Sequence, residues 1–396
     1  MDDRLKTPYY VFYADEFVDN YLELQDAFRE IYPWYHIAYS FKTNYTPAVC
    51  KLVKDLGGYA EVVSDMEYTL AKKIGFDDDK IIYNGPGKGE QLRTCLLTGG
   101  KLHLDNFVDV EEVLSVARSN PNQNFTVGVR VNFDVGNGLH SRFGFDYTNG
   151  AFGKVVTLLN QEKNIKVNGL HFHISRARSL EAWEKRIDMA LAIADTCFDY
   201  PLDYIDLGSG MFGHLDQALA EQFGTTPTYK DYATVVAGKM ASQYKNCEKK
   251  PLLFTEPGTT VISKYFHLFT KITDIKNIRD KTFALLDASF HNVGEICGLK
   301  KVPIVLHENK DSSRNHYQNL DMVGYTCLEQ DVVYRNYEGS IAVGDCVEIL
   351  NVGGYSIVDK PPFIHPDIPI FMKKNGEMAL IKRAQTFEDI FSPYIF

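Results

Sequence analysis

Lys42 closes a short apolar run, Ile37-Ala38-Tyr39-Ser40-Phe41-Lys42-Thr43-Asn44, just ahead of Pro47, where a helical pattern opens. An ammonium in such a β-prone run is costly to bury charged, so it takes a partner or titrates toward the neutral amine that condenses with an aldehyde. Taken alone, the segment also reads as a lysine that snorkels out from a strand end. Glu256 ends a second apolar run, Pro251-Leu252-Leu253-Phe254-Thr255. A carboxylate there needs a cationic or hydrogen-bonding partner, and a protonated ring nitrogen is one. His173 lies at the end of Val167 to His173, either as a satisfied core imidazole or as a ring that stacks on a planar ligand. Gly208-Ser209-Gly210 follows the apolar Tyr204 to Leu207 and offers backbone N–H groups to a phosphate. It lacks the surroundings of a dinucleotide fingerprint, and a plain tight turn would explain it as well.

These residues share a place in the chain's periodicity. From about residue 35 to 260, β-prone runs alternate with amphipathic ones. The strand candidates are His36 to Phe41, Tyr59 to Val63, Lys80 to Tyr83, Lys101 to Leu104, Thr126 to Val131, Val167 to His173, Tyr204 to Leu207 and Leu252 to Thr255. Helical patterns such as Pro47 to Leu56, Met66 to Ile74, Val110 to Ser119, Leu180 to Cys197 and Tyr229 to Tyr244 fall between them. Eight strands alternating with helices predict a (β/α)8 TIM barrel over 33–264, with a doubly wound open sheet as the alternative. In such a barrel the chemistry lies at the C-terminal strand ends, and Lys42, Glu61, Arg130, His173, Gly208 and Glu256 all fall there. Beyond about 265 the texture becomes strands and turns: Phe266 to Ile272, Phe283 to Leu286, Val302 to Leu306, Asp331 to Val333, Cys346 to Leu350 and Ile368 to Met372. This predicts a second, mainly β domain of residues 1–32 and 265–396, joined by the extended Tyr9 to Tyr13.

Composition narrows the function class. A chain of 396 residues exceeds one compact core, and 45% hydrophobic with 24% charged residues is ordinary globular usage. The net charge of -10 and the lack of a basic stripe argue against nucleic-acid binding. Seven scattered cysteines without a C-x-x-C pair speak against a disulfide framework or a zinc site, so no metal is expected. No segment has the length of apolar sequence that a membrane span needs, and the chain is expected to be cytoplasmic.

Taken together, six blocks resemble the ornithine and diaminopimelate decarboxylase family of fold-type III enzymes, whose barrel resembles that of alanine racemase. They are Ser40-Phe41-Lys42-Thr43-Asn44, Gly169-Leu170-His171-Phe172-His173, Asp206-Leu207-Gly208-Ser209-Gly210, Glu256-Pro257-Gly258, Cys327-Leu328-Glu329-Gln330-Asp331 and Gly353-Gly354-Tyr355-Ser356. Arg383-Ala384-Gln385-Thr386-Phe387-Glu388-Asp389 resembles the family's closing segment. The resemblance implies pyridoxal 5'-phosphate as cofactor, with Lys42 as its Schiff-base lysine, His173 stacked on its ring and Glu256 at its pyridine nitrogen. It further implies that Gly208, Ser209, Gly210, Ser175, Gly258 and Tyr355 hold the phosphate. Cys327 would protonate the carbanion left by carbon dioxide from across a homodimer interface, and a thiol is a competent donor near neutral pH. Glu329 and Asp331 are candidates for contact with a small amino-acid substrate.

The pattern also departs from the family's. Thr259 stands where the family usually has an arginine after Glu-Pro-Gly, and His173-Ile174-Ser175-Arg176 replaces His-Ile-Gly-Ser. Arg176 is therefore a candidate for the phosphate or the substrate carboxylate. Leu328 occupies the position of a glutamate that reads a distal amine in many members, with Glu329 displaced by one residue and hence turned to the opposite face of an extended segment. Phe363-Ile364 replaces the family's Phe-Asn. The expectation is decarboxylation of an amino acid or an amino-acid conjugate, with diaminopimelate itself in doubt. A racemase or epimerase using Tyr325 as second base, and a non-catalytic cofactor-binding relative, are the alternatives.

Overall fold

The computed structural model describes residues 5–136, 138, 140–360 and 362–396. It separates into two compact units. One comprises 21–213 and 226–260, the other 1–20, 214–225 and 261–396. The division falls about a dozen residues before 33, the start expected from the sequence, and assigns the short segment 214–225 to the sheet unit.

The first unit is a closed parallel barrel. Its strands are β1 (Tyr35–Ser40), β2 (Tyr59–Val62), β3 (Ile81–Tyr83), β4 (Lys101–Leu104), β5 (Phe125–Asn132), β6 (Ile165–His171), β7 (Tyr204–Asp206) and β8 (Leu252–Thr255). Each pairs with the next, and β8 returns to β1 with Leu253 opposite Tyr35. Local signals start and stop the intervening helices. Pro47 occupies the first turn of Pro47–Asp55, where its missing N–H costs nothing. Ser64 accepts from the Glu67 N–H at 3.2 Å to cap Asp65–Ile74, which ends on Gly75 at φ +93°. A capping box of Thr228 and Asp231 opens Tyr229–Gln243.

Two strand edges differ from the sequence expectation in ways that matter. β1 ends at Ser40, and Lys42 sits on a 3-10 turn, Phe41–Thr43, rather than on the strand. β6 ends at His171, so His173 lies in the loop beyond it. After the Phe172 N–H bonds the Asp206 carbonyl at 2.8 Å, the chain leaves the sheet.

Inside the barrel, Gly128 and Gly169 make room for two large polar side chains. A Cβ on Gly169 would lie 2.1 Å from the Tyr204 ring, and one on Gly128 would lie 2.4 Å from His103. Glycine within a strand weakens it, and here the close approach of Tyr204 and His103 is the reason for it.

Among the described residues, the second unit is built on a nine-stranded sheet. Tyr9–Tyr13 pairs antiparallel with Phe266–Ile278 and parallel with Ile370–Lys374. The expected strand at Asp331 to Val333 is longer and later, Val332–Ile341, and pairs with Asn315–Val323, a strand too polar to stand out in the sequence. Among the described residues no helix is long and apolar enough to cross a membrane.

Candidate active site

Lys42, Glu61, Asn84, His103, His171, His173, Asp206 and Glu256 come from the C-terminal halves of seven barrel strands or the residues just past them. The Lys42 Nζ lies 2.5 Å from the Glu61 Oε2, which also accepts from the Ser40 hydroxyl at 2.6 Å. Glu61 is 1% exposed and the Lys42 side chain 29%. Glu256, also 1% exposed, lies 3.4 Å from both His171 Nε2 and His173 Nδ1 and accepts from the Asn84 carboxamide. Asn84 donates to Glu61 as well, at 3.1 Å. Its oxygen lies 2.5 Å from His103 Nδ1, whose other nitrogen is 3.0 Å from the Tyr204 hydroxyl.

Protonation follows from these neighbours. Burial alone would raise the Glu256 carboxyl, but His171, His173 and Lys42 outweigh it and hold it well below the usual carboxylate range. Asp206 goes the other way: burial, and next the charge of Glu256, push it well above that range, so it retains its proton. Its carboxyl accepts from the Gly208 N–H at 2.9 Å. Burial drives His173 down to about 3 and lowers His103 and His171, leaving three neutral imidazoles. His173 Nδ1 lies between the Ser209 N–H at 3.1 Å and the Glu256 Oε2 at 3.4 Å. His103, His171, Asp206 and Glu256 bring metal-ligand atoms within 4.8 Å of one another. Both nitrogens of His103 are nevertheless engaged by Asn84 and Tyr204, which favours a hydrogen-bonded network over an ion.

The glycine loop after β7 is built as a cradle. Gly208 has φ +66°, and a Cβ there would lie 2.6 Å from His173. Gly210 has φ +106°. From the helix Leu180–Cys197, the fully buried Arg186 donates to the carbonyls of Leu207 (2.7 Å), Ser209 (2.8 Å), Ile174 (3.4 Å) and Ala177 (3.3 Å), pinning the loops after β6 and β7 together. Arg130 holds the other flank, bonded to Asp105 at 2.9 Å and to the His173 carbonyl at 3.3 Å. Gly258 packs against Thr43, where a Cβ would lie 2.0 Å from the hydroxyl. Ser175 and Arg176 are exposed in the β6 loop, with Arg176 at φ +58°, a left-handed conformation that costs a non-glycine residue about 1 kcal/mol.

Four expected residues belong to the sheet unit. Cys327 is exposed on a turn, Glu329 is exposed beside it, and Tyr355 is 39% exposed at φ +64°. Tyr355 and Gln330 line one cavity of about 1070 Å³ together with His291, Lys300 and Arg335. Asp331 differs from its expected part in substrate contact. It is 3% exposed, and its carboxylate accepts from the Phe290 N–H (2.8 Å), the Thr326 N–H (3.1 Å) and the Thr326 hydroxyl (2.6 Å), so it fixes the Cys327 turn instead. The sequence reading passed over Asn84, His103 and Arg186. Arg186 had a visible signal, a charged residue on the apolar stripe formed by Trp183, Ile187 and Ala190.

The chain is similar to known proteins over nearly its whole length. The model of the pyridoxal-dependent decarboxylase pyridoxal binding domain matches residues 18–263, and that of the C-terminal sheet domain matches 203–353. The chain is 25% identical over 417 residues to a diaminopimelate decarboxylase of Aquifex aeolicus, covering 98% of this chain and 91% of the relative. It is 23% identical to that of Methanocaldococcus jannaschii, with coverage of 98% and 91%. The crystal structure of diaminopimelate decarboxylase from M. jannaschii superposes with a TM-score of 0.87 at 22% identity, covering all of this chain and 93% of the other. A lysine decarboxylase from Selenomonas ruminantium superposes at 0.72 with 20% identity, covering 91% and 90%.

Proposed function

Since the chain belongs to the pyridoxal-dependent decarboxylase family and is a pyridoxal-phosphate-dependent amino-acid carboxy-lyase, we propose that Lys42, His173 and Glu256 form its reacting centre. The observation that carries this is the buried Glu256, 3.4 Å from the imidazoles of both His171 and His173, beside a lysine held by Glu61 at 2.5 Å. Such a carboxylate suits a protonated ring nitrogen, and the Gly208-Ser209-Gly210 cradle suits a phosphate. Bound there, pyridoxal phosphate would supply an aldehyde carbon and an electron-accepting ring for the electron pair left on the α-carbon when carbon dioxide departs.

The division of work among the residues follows. Lys42 would hold the cofactor, with Glu61, 2.5 Å from its amine, placed to take up and return the proton. Glu256 keeps the ring nitrogen charged, while neutral His173 offers a flat face with no competing charge. Ser209, Gly210, Ser175 and Gly258 contribute polar contacts to the phosphate, with Arg176 taking the place of the arginine missing at Thr259. Tyr355 closes over it. The left-handed backbone of Arg176 and of Tyr355 supports this reading, because such strain persists where a ligand site requires it. Cys327, brought to the site in a homodimer, returns a proton to the former α-carbon. Seven free cysteines suit a reducing compartment, and we place the enzyme in the cytoplasm.

The substrate is an amino acid or amino-acid conjugate whose far end differs from diaminopimelate, because Leu328 stands where many members carry a glutamate. The test is carbon dioxide release by the cofactor-loaded protein from meso-diaminopimelate, ornithine, lysine, arginine and carboxylated polyamine or citryl conjugates, with Lys42→Ala beside it. Release from one substrate, lost in the variant, is expected. An intact cofactor absorption band with release from none of them, and racemization of one instead, would overturn the decarboxylase.

A further inference from the structure

The two carboxylates that address opposite ends of the cofactor site are joined through one side chain. Asn84 follows β3, and its own N–H is fixed to the Val62 carbonyl at 2.8 Å. One hydrogen of its carboxamide goes to Glu61, the partner of Lys42, and the other to Glu256. With both N–H groups directed at carboxylates, its oxygen must accept, so His103 Nδ1 carries a proton and His103 Nε2 accepts from Tyr204. Asn84 is 3% exposed, His103 1% and Tyr204 1%. The barrel gives up two strand side chains, at Gly128 and Gly169, to accommodate this row. A buried polar network is worth that cost only when every member is satisfied, and each of these groups has its partners.

We propose that Asn84 is a positioning residue that ties the lysine-facing carboxylate Glu61 to the ring-facing carboxylate Glu256, so that the two ends of the cofactor are set by one buried row from Lys42 to Tyr204. This rests on the cofactor reading above and extends it to a residue that holds both carboxylates. Without Asn84, the carboxylates of Glu61 on β2 and Glu256 beyond β8, the two strands that flank β1, share a dry space with no donor between them, and one of them recovers a proton or swings away. The charged and titratable groups around the position are Glu61 and Lys42 on one side, Glu256, His171 and Asp206 on the other, and His103 behind.

The experiment measures pyridoxal 5'-phosphate binding to the apoprotein by absorbance titration, with borohydride trapping and mass spectrometry to locate the adduct. Wild type is expected to bind and to trap at Lys42. Asn84→Leu, close in shape but without donors, should weaken binding by about tenfold or more while circular dichroism and melting show a folded barrel. Asn84→Asp should bind poorly near pH 8, where a third carboxylate joins the other two. It should regain about fivefold or more relative to wild type near pH 5.5, where a protonated aspartic acid donates again. Binding of both variants within about twofold of wild type at every pH overturns the inference. If Asn84→Leu does not fold, the pH dependence of Asn84→Asp alone decides it, a flat ratio to wild type being the overturning result. Failure of wild type to bind the cofactor at all would instead remove the functional reading, and this inference with it.

Discussion

Arg186→Leu tests whether the cofactor cradle is held from behind. The guanidinium makes four hydrogen bonds to carbonyls of the loops after β6 and β7, and Leu207 is fully buried. Burial lowers its pKa to about 9, so it remains charged at neutral pH and each bond is charge-assisted. Leucine fills much of the stem's volume but leaves four carbonyls without donors. An orphaned buried acceptor costs about 1–3 kcal/mol, and the two longer bonds at 3.3 and 3.4 Å sit at the low end. Some carbonyls will recover water once the loops loosen, so the local cost should be about 3–5 kcal/mol rather than the full sum. Because the protein has two units, the readout is local: amide hydrogen exchange over 173–179 and 207–212, with pyridoxal-phosphate affinity of the apoprotein beside it. Those amides should exchange about a hundredfold faster or more, and affinity should fall by about tenfold or more. Arg186→Lys should recover only part of both, since one ammonium cannot span four acceptors. Unchanged protection of both loops in a folded Arg186→Leu protein would refute the argument.

Other predictions follow from the same geometry. Burial raises Glu67 from 4.5 to about 7, so between those values the folded state holds a proton that the unfolded chain has lost. Stability therefore falls as pH rises through that window, and Glu67→Gln should remove up to about 3 kcal/mol of that decline, measured by denaturant unfolding at about pH 5 and 8. An identical pH slope in both proteins would contradict it. Glu256→Gln keeps the shape but removes the charge facing the ring nitrogen; decarboxylation should drop by about a hundredfold or more with the cofactor still trapped at Lys42, and a smaller loss would mean another group carries that charge. Cys327→Ala should slow turnover by about a hundredfold with cofactor affinity unchanged, and in deuterated water its product should carry deuterium at the former α-carbon in mixed rather than single configuration. Equal turnover would assign the proton to another donor.

What the sequence made legible here follows a physical rule. Lys42 and Glu256 stood out because each is a charge at the end of an apolar run, where burial has to be answered by a partner, and the structure supplies one in each case: Glu61 for Lys42, and the Asn84 carboxamide for Glu256. The barrel was legible because β-prone and amphipathic runs alternate eight times, a pattern set by local periodicity. In the sheet unit that periodicity fails: Asn315–Val323 and Val332–Ile341 are polar on much of both faces, and pairing with each other defines them more than any stripe of their own.

The row behind the site was not legible for a different reason. Asn84, His103 and Tyr204 come from three strands, and each looks ordinary beside its chain neighbours, because their meeting depends on barrel registers that no local window contains. A trace of it was nevertheless written in the chain. Gly128 and Gly169 interrupt strands β5 and β6 at positions where a side chain would be expected to add to the core, and neither is needed for a turn. A glycine inside a strand marks a place where something large approaches, and two on adjacent strands mark one such place together. Read that way, the pair predicts bulky groups inside the barrel at that level, which the His103 and Tyr204 rings fill. The missing side chains were thus the better guide to this network than the polar residues themselves.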